Sequence, residues 1–416
     1  MPRSDPHHVT ESLLTMSKLA EGRYGRPDRH PRAAEFAKLR AAIVDERVRE
    51  LFPLRFLAAN ETFARLVDAT AYRILMSIGA LPPANGITVQ QARKELSIPW
   101  RRTVPLRFMY EKLAESGILA RQDGRYFPGT VTVEEFDAVA TELAERAPGA
   151  EAAAEILRTL VDEAERYFRA EATGDEILFA PDKLPLWPRY FSNDNLLYAI
   201  NNTVGAEALS RVVPAGGGAL EILEIGGGCG SAAEQALRTL GSGVTRYRFT
   251  EVAETFARHG ERAARAAAAP STTVESARLD MTVPWAEQGV EPGTFDLVYS
   301  VNCFHVAPDL DFVVAEAAKA LKPGGTVVVS ECIRPTKLAR PIHAEIIFDF
   351  LDSFTDVATD PVRRPTHGFL TPAAWRATFE AAGLGDVTLL PDVDAVAEAY
   401  PDFVVGAVLA GKDTSA

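Results

Sequence analysis

The sequence of 416 residues predicts an α/β fold, with an open, parallel, doubly wound sheet that has helices on both faces and follows a helical amino-terminal region. Strand-like apolar runs alternate with helix-like runs from Ala219 onward, and a glycine-rich turn, residues 226–230, follows the first of them. This alternation is typical of parallel sheets. We predict three regions: a helical and winged-helix dimerisation domain (1–130), a helical connector and cap (131–215), and the sheet domain (216–416).

Composition narrows the class of protein. The formal net charge is -13 and the isoelectric point is near 5.2, which argues against a general nucleic-acid binder, because binding phosphates requires clustered Lys and Arg. The three cysteines, Cys229, Cys303 and Cys332, lie at or near the ends of predicted strands and suggest no disulfide framework. No apolar run approaches the roughly 20 residues of a membrane helix. We therefore expect a cytoplasmic protein that acts on a small molecule, away from membranes.

The amino-terminal region is predicted to be helical and to end in a hairpin. The first 45 residues are polar and suggest a loose arm or a short helix, and apolar spacing over 51–78 indicates two packed helices. Thr88 is a plausible N-cap for a short helix, and a longer helix ends at residues 116–117. Two short apolar strands then flank an Asp-Gly turn at 123–124. This order indicates a winged helix-turn-helix.

A winged helix suggests either dimerisation or DNA binding, and both remain open. Residues 89–127 contain eight Lys or Arg and four Asp or Glu, a local charge of +4. The next stretch, 133–176, is acidic and alanine-rich and reads as a solvated helical connector. Residues 181–195 are rich in proline and aromatic side chains, and we interpret them as a cap over the sheet domain. Tyr190 within this cap is a candidate substrate contact.

The predicted sheet follows from the apolar runs of the last two hundred residues. A further strand is expected around residues 277–279. The clearest strand-like runs are Ala219–Ile225, Arg246–Thr250, Phe295–Ser300, Gly325–Glu331, Val387–Leu390 and Phe403–Leu409. In open α/β sheets, ligands bind at the carboxyl ends of the strands, so the residues at those ends are the candidates for function.

The first βα turn carries the pattern Glu224-x-Gly226-x-Gly228-x-Gly230. Glycines allow a tight turn and a close backbone approach to a ligand, and the following helix presents free N–H groups. A dinucleotide fingerprint would place its third glycine at position 231, which is Ser231. The spacing therefore favours S-adenosylmethionine over a nicotinamide cofactor.

Polar residues at the next strand ends are candidates for the rest of the cofactor site. Glu251 follows Gly230 by 21 residues and can accept hydrogen bonds from both ribose hydroxyls. Asp280 offers a carboxylate to the adenine amino group, and Met281 offers a side chain to pack on the ring. Asn302 ends a buried strand at the same edge and is a further candidate cofactor contact.

Two neighbouring strands deliver a histidine and a glutamate to that same edge. The strand that starts at Phe295 runs to His305, and the strand after the Lys-Pro-Gly-Gly turn at 322–325 ends at Glu331. A histidine backed by a carboxylate can position and deprotonate a nucleophile. His305 and Glu331 are therefore expected to lie close together at this edge, although their spacing alone does not give them a catalytic role.

These motifs together resemble the carbon-methyltransferase domains of polyketide synthases and their free-standing relatives, over about residues 185–335. The resemblance is carried by residues 288–305, the turn 322–325, Glu331 and residues 247–251. It implies a Rossmann-like class I methyltransferase sheet, S-adenosylmethionine as cofactor and S-adenosylhomocysteine as product. It also implies that His305 and Glu331 form the catalytic pair, with the histidine removing the acceptor proton.

The sequence departs from that family in ways that keep the acceptor atom open. Cys229 and Phe304 stand where threonine-like and leucine-like residues are expected. The winged helix is unlike a synthase-embedded domain and resembles the dimerisation module of small-molecule O-methyltransferases, which implies a homodimer. Beyond Glu331, His343 and His367 are candidate substrate contacts.

The resulting expectation is a methyltransferase of natural-product biosynthesis that methylates an activated carbon of a small-molecule substrate. The alternatives are an O-methyltransferase acting on a small hydroxylated substrate, a winged-helix regulator that senses S-adenosylmethionine, and a methyltransferase-like enzyme that does not methylate but retains the cofactor for a rearrangement or cyclisation. Seven histidines without a paired spacing such as H-E-x-x-H predict no metal site.

Overall fold

The computed structural model describes residues 33–213, 219–337 and 341–414. Most of the predicted amino-terminal arm, and the predicted domain boundary at 214–218, lie outside these residues. Within them, no helix combines the length and the apolar character needed to cross a membrane. The three cysteines are free thiols.

Helices dominate the first half of the chain, and a single hairpin interrupts them. Thr88 caps its helix with a reciprocal capping box, and the hairpin strands pair antiparallel around residues 123–124. The described elements are α1 (Ala33–Ala42), α2 (Glu46–Glu50), α3 (Leu54–Ser77), α4 (Val89–Glu95), α5 (Thr103–Glu115), β1 (Leu119–Gln122), β2 (Arg125–Pro128), α6 (Phe136–Arg146), α7 (Glu151–Asp162), α8 (Ala164–Phe168), α9 (Gly174–Leu178), α10 (Leu186–Tyr190) and α11 (Leu196–Val212).

One prediction in this half is wrong. The two packed helices expected over 51–78 are one continuous helix of 24 residues, α3. Pro53 precedes this helix, and residues 54–77 contain neither Gly nor Pro, so nothing in their backbone chemistry breaks it. Its apolar positions wrap around most of the helix because it is packed on several sides, by α6, α5 and α7 among others.

The second half forms a seven-stranded sheet with helices on both faces, as predicted. The strand order is β5-β4-β3-β6-β7-β9-β8. Its elements are β3 (Leu220–Glu224), α12 (Ser231–Leu240), β4 (Val244–Thr250), α13 (Glu254–Ala267), β5 (Thr273–Ala277), β6 (Phe295–Val301), α14 (Leu310–Ala320), β7 (Leu321–Cys332), α15 (Glu345–Phe348), α16 (Asp352–Thr355), α17 (Pro372–Ala381), β8 (Leu384–Leu390), α18 (Val393–Ala399) and β9 (Val405–Lys412).

The sheet is mixed, which corrects the expectation of a parallel one. Strands β3 to β7 pair in parallel, but β9 runs antiparallel to both β7 and β8. An apolar run carries no information about strand direction. The link between β8 and β9 contains only the short helix α18, so the chain turns back beside β8 instead of crossing over the sheet.

Each of the two apolar cores contains residues from both the helical half and the sheet half of the chain. The core around the sheet includes Leu39 and Ile43 from the start of the described chain. The core among the amino-terminal helices includes Ile346 and Phe354, which come from the segment after β7. That segment contacts α5 and α7 through α15. The helical half therefore holds the chain that follows β7 next to the carboxyl edge of the sheet.

Candidate active site

The glycine loop packs tightly on one side and stays open on the other. Gly226, Gly228 and Gly230 all have positive φ, at 65°, 54° and 85°. A Cβ on Gly226 would lie 2.2 Å from the Cys303 Sγ, and one on Gly230 would lie 2.6 Å from the Gly260 Cα. A Cβ on Gly228 would meet nothing within 4 Å. The backbone at Gly228 is thus accessible to a ligand.

Glu251 at the end of β4 is tied to this loop. Its Oε2 accepts a hydrogen bond from the Gly228 N–H (2.9 Å), and its Oε1 accepts one from the Ala253 N–H (2.8 Å). A carboxylate offers about four acceptor positions, so each oxygen still has capacity for a ribose hydroxyl. The open face of Gly228 and the spare acceptors of Glu251 together fit a nucleoside cofactor.

Glu224 lies below the loop, in the core. It is 1% exposed, and the buried Tyr247 side chain interacts with its carboxylate. Its neighbours across the sheet are Phe249 in β4 and Tyr299 in β6. Burial raises the pKa of Glu224 to about 8. The predicted cofactor contact is therefore a buried acid at the base of the loop and not a surface group.

The other predicted cofactor residues lie at the same edge of the sheet. Asp280 follows β5, and its Oδ1 accepts hydrogen bonds from the Thr282 hydroxyl (2.6 Å) and N–H (2.9 Å), which lower the pKa of Asp280. Met281 is partly buried against the sheet core. Asn302 has a φ of 47°, and its Oδ1 accepts a hydrogen bond from the Cys332 N–H (3.2 Å).

The structure brings His305 and Glu331 together. The parallel pairing of β6 and β7 places Glu331 beside the short 3₁₀ turn Phe304–Val306 that carries the histidine. The His305 Nδ1 lies 2.6 Å from the Glu331 Oε2, and the Glu331 Oε1 accepts hydrogen bonds from the N–H groups of Cys303 (3.1 Å) and His305 (3.4 Å). Nδ1 therefore carries the proton shared with Glu331, and Nε2 faces away from the carboxylate.

A buried arginine that the sequence analysis did not identify supports the histidine. Arg364 is 2% exposed, and its Nη2 donates a hydrogen bond to the His305 carbonyl at 2.6 Å. Its Nη1 donates to the Ala307 carbonyl on the other side of the same turn. Burial lowers the pKa of Arg364 to about 10. No sequence signal identified it, because its partners are backbone carbonyls 57 and 59 residues away.

Of the predicted substrate contacts, the structure connects His367 to His305. Both imidazole rings contact the ring of Phe354, with distances between ring centroids of 5.7 Å for His305 and 5.9 Å for His367. The Phe369 ring centroid lies 4.3 Å from that of His305. The His367 Nε2 lies 3.3 Å from the Oδ1 of Asp349, which is 4% exposed. Phe354, Phe369 and Asp349 were not predicted. They follow no motif, and only the tertiary fold brings them to this edge.

His343 and Tyr190 are held by other aromatic groups. The His343 ring contacts Phe63 of α3 at 5.6 Å, and Tyr190 contacts Trp187 at 5.9 Å and Tyr198 at 6.0 Å. Both predicted contacts are nearly fully buried. Their roles in substrate binding stay predictions.

Part of the chain is similar in sequence to known methyltransferases and polyketide synthases. Residues 223–327, about a quarter of the chain, match the family model described as a methyltransferase domain. A 112-residue segment is 37% identical to the lovastatin nonaketide synthase, polyketide synthase component, of Aspergillus terreus, which covers 27% of this chain and 4% of that protein. The chain spans less than a tenth of the length of the curated relatives it matches.

Two solved structures share the fold. The CurJ carbon methyltransferase has a TM-score of 0.69 and 19% identity, covering 92% of this chain and 97% of that one. The trans-methyltransferase CalH in complex with SAH has a TM-score of 0.56 and 20% identity, covering 84% of this chain and 90% of that one.

The match to CurJ also bears on the helical half of the chain. It covers 92% of the chain, so most of the helical half shares its fold with that carbon methyltransferase. The winged helix and the homodimer stay predictions. The chain therefore contains a methyltransferase domain, is similar in sequence to a segment of polyketide synthases, and shares the fold of a solved carbon methyltransferase.

Proposed function

We propose that this enzyme methylates an activated carbon of a small-molecule acceptor in natural-product biosynthesis, with His305 and Glu331 as its general-base pair. The observation that carries the proposal is the 2.6 Å contact between the His305 Nδ1 and the Glu331 Oε2 at the edge of the sheet that also carries the glycine loop. The similarity to carbon-methyltransferase domains supports carbon as the acceptor atom.

Residues at the ends of four strands would bind the cofactor. The backbone of Gly226, Gly228 and Gly230 would lie against it, Glu251 would accept the ribose hydroxyls, and Glu224 would underlie the loop. The adenine would lie near Asp280 and Met281, after β5. Asn302, after β6, would be a further cofactor contact at the same edge of the sheet. When bound, S-adenosylmethionine supplies a methyl group on a positively charged sulfur, which is already an activated electrophile.

The protein's own chemical task is then to prepare the acceptor. A carbon beside a carbonyl group becomes nucleophilic only after it loses a proton, and the His305 Nε2 is the nitrogen free to take that proton. Glu331 fixes the ring through Nδ1 and stabilises the imidazolium that forms. General-base help of this kind contributes roughly 10²–10⁴-fold, and orientation of the acceptor contributes more.

Transfer of a tritiated methyl group to two matched acceptors tests this function. Acetoacetyl-N-acetylcysteamine has an acidic carbon between two carbonyl groups, and catechol offers only hydroxyl groups. We expect transfer to acetoacetyl-N-acetylcysteamine. The kcat should be about 10²–10⁴-fold lower in His305→Ala than in the parent enzyme, and it should also fall strongly in Glu331→Gln. The affinity for S-adenosylhomocysteine, measured by calorimetry, should stay unchanged in both.

The matched control is His259→Ala, an exposed histidine on α13 whose Nδ1 lies 3.2 Å from the Thr255 carbonyl. It should behave like the parent enzyme. Undiminished transfer in His305→Ala and Glu331→Gln would remove the proposed base, and transfer to catechol alone would remove the carbon acceptor. Light scattering on the purified chain tests the predicted homodimer.

A further inference from the structure

We propose that His367, held by Asp349, is a second catalytic residue that donates an N–H to the carbonyl oxygen of the acceptor while His305 removes the proton from its carbon. The proposal rests on the proposed function and names the acceptor class more closely, as a carbon acid whose charge is shared with an adjacent oxygen.

The geometry shows two histidine–carboxylate pairs around a single aromatic ring. The rings of His305 and His367 meet the Phe354 ring edge to face, with interplanar angles of 74° and 75°. Each histidine has a buried carboxylate behind it, with Glu331 0% and Asp349 4% exposed. The second pair thus repeats the arrangement of the first, and both imidazoles contact the same Phe354 ring.

The two pairs use opposite ring nitrogens. His305 contacts Glu331 through Nδ1, and His367 contacts Asp349 through Nε2. The nitrogens left for an acceptor are therefore the His305 Nε2 and the His367 Nδ1. In the proposed arrangement the acceptor carbon meets the first of these nitrogens and the acceptor oxygen meets the second.

Charge makes His367 the donor of the two. Burial alone would lower the pKa of His367, but the hydrogen bond and charge of Asp349 outweigh it and raise that pKa above its usual value. Glu345 acts in the same direction and Arg334 opposes it. His367 therefore retains its proton at a higher pH than an ordinary histidine, and both of its ring nitrogens can then carry hydrogen.

The step balances without any further reagent. The acceptor C–H bond breaks, its proton moves to the His305 Nε2, and its electron pair spreads onto the neighbouring carbonyl oxygen. The His367 Nδ1–H donates a hydrogen bond to that oxygen, where the negative charge develops. Removing one such donor from an oxyanion site costs about 10²–10³ in kcat, because the donor acts mainly in the transition state.

Phe354 has to give way for this contact. Its ring is 1% exposed and touches both imidazoles, so an acceptor that reaches both must displace it. The ring sits on α16, a helix of four residues.

Steady-state methyl transfer to acetoacetyl-N-acetylcysteamine between pH 6 and pH 9 tests the proposal. The variants are His367→Phe, His367→Gln and Asp349→Asn, with His259→Gln as the exposed control. We expect His367→Phe to lower kcat about 10²-fold with KM within about threefold of the parent, and S-adenosylhomocysteine to bind normally. His367→Gln, which has a neutral donor, should recover part of kcat.

The pH profile distinguishes a catalytic donor from a structural side chain. The kcat of the parent should fall at alkaline pH as His367 loses its proton, and this fall should be absent in His367→Gln. The Asp349→Asn variant lacks the charge that raises the pKa of His367, so its fall in kcat should begin at lower pH.

The outcomes separate this inference from the proposed function. If the parent depends on His305 but His367→Phe keeps its kcat, or if the alkaline fall persists in His367→Gln, the donor role is wrong and the base pair stands. If His305→Ala is as active as the parent, the proposed function itself fails. Should His367→Phe lose S-adenosylhomocysteine binding, the pH profile of His367→Gln decides between a donor and a structural side chain.

Discussion

The two ends of the proposed catalytic edge are built in different ways. At the cofactor end, beside β3 and β4, the site consists of backbone held by tight packing, with the glycine loop 226–230 and the carboxylate of Glu251 joined by a hydrogen bond. At the acceptor end, beside β6 and β7, it consists of side chains from separate segments, with His305 meeting Glu331 and held by Arg364.

The difference separates the effects expected of mutation. A change in the loop alters the backbone that would contact the cofactor, so it should affect binding and folding together. A change at the acceptor end removes one side chain from a scaffold that stays in place, so it should affect turnover and leave cofactor affinity intact. Substitutions at the two ends test whether effects on cofactor binding and on turnover are separate. The expected effects range from a large loss of stability to a small change in the pH dependence of stability.

Gly230→Ala should produce the largest loss, in both folding and cofactor binding. Gly230 has a φ of 85°, and an added Cβ would lie 2.6 Å from the Gly260 Cα and 2.7 Å from its carbonyl oxygen. The left-handed conformation costs an L-residue about 1–2 kcal/mol, and backbone atoms cannot move aside easily. We expect the free energy of unfolding, from urea titration, to fall by at least roughly 3 kcal/mol. An unchanged midpoint would contradict this packing.

Gly228→Ala is the matched control for that prediction. Gly228 has a φ of 54°, but its added Cβ would meet nothing within 4 Å. It should lose only about 1–2 kcal/mol of stability. Because the methyl group would occupy the open face, we expect the Kd for S-adenosylhomocysteine to rise about tenfold, or about 1.4 kcal/mol. Parent-like affinity would show that the cofactor does not approach this face.

Arg364→Gln should lower kcat by about tenfold and leave the affinity for S-adenosylhomocysteine unchanged. The guanidinium donates to the carbonyls of His305 and Ala307, and losing it leaves buried acceptors unpaired at a cost of about 1–3 kcal/mol. Arg364→Lys should recover part of kcat, because an ammonium supplies charge but not the planar pair of donors.

The neighbouring Arg363→Gln serves as the control for Arg364. Arg363 forms an ion pair with Asp311 at 2.9 Å and is not part of the histidine turn. Kinetics and calorimetry on the three variants check the prediction. A rise in the Kd for S-adenosylhomocysteine in Arg364→Gln equal to the fall in kcat would show that the two ends are not independent.

The difference between the two ends of the edge also explains which site residues could be predicted from the sequence. The glycine loop and Glu251 lie directly after apolar runs, so each motif indicates both its strand and its place on the sheet. His305 and Glu331 are also predictable, because both follow neighbouring parallel strands whose carboxyl ends share one edge. Their roles came from the family resemblance, since the spacing alone does not distinguish a base from a structural pair.

The residues that sequence analysis missed belong to the segment after β7. Asp349, Phe354 and Arg364 are placed by contacts such as that of Phe354 with the core of the amino-terminal helices. No local sequence pattern indicates a packing partner that lies far away along the chain. For the same reason the antiparallel direction of β9 was not predicted, because strand direction depends on how the chain returns to the sheet and not on its apolar residues.

Glu251→Gln should weaken cofactor binding about tenfold while the fold stays intact. The amide keeps one acceptor oxygen but loses the charge and one of the two backbone hydrogen bonds, from Gly228 or from Ala253. A hydrogen bond to a charged group contributes about 1.5–3 kcal/mol. Calorimetry with S-adenosylhomocysteine measures the effect, and Glu254→Gln, an exposed neighbour paired with Arg258, is the control. Equal affinities in the two variants would exclude Glu251 from the cofactor site.

The smallest effect is expected from Glu224→Gln, and it concerns stability against pH. Burial raises the pKa of Glu224 to about 8 in the folded chain, above the ordinary value of 4.5. The folded state therefore binds this proton more tightly than the unfolded state, so the stability that this group contributes is fully present below about pH 4.5 and is lost as the pH rises to about 8. Glutamine cannot ionise, so the variant should lose this contribution to the slope, and its Tm relative to the parent should rise by a few degrees between pH 5 and pH 8. Melting curves across that range measure the slope, and parallel curves for the two proteins would mean that Glu224 keeps its charge inside the core.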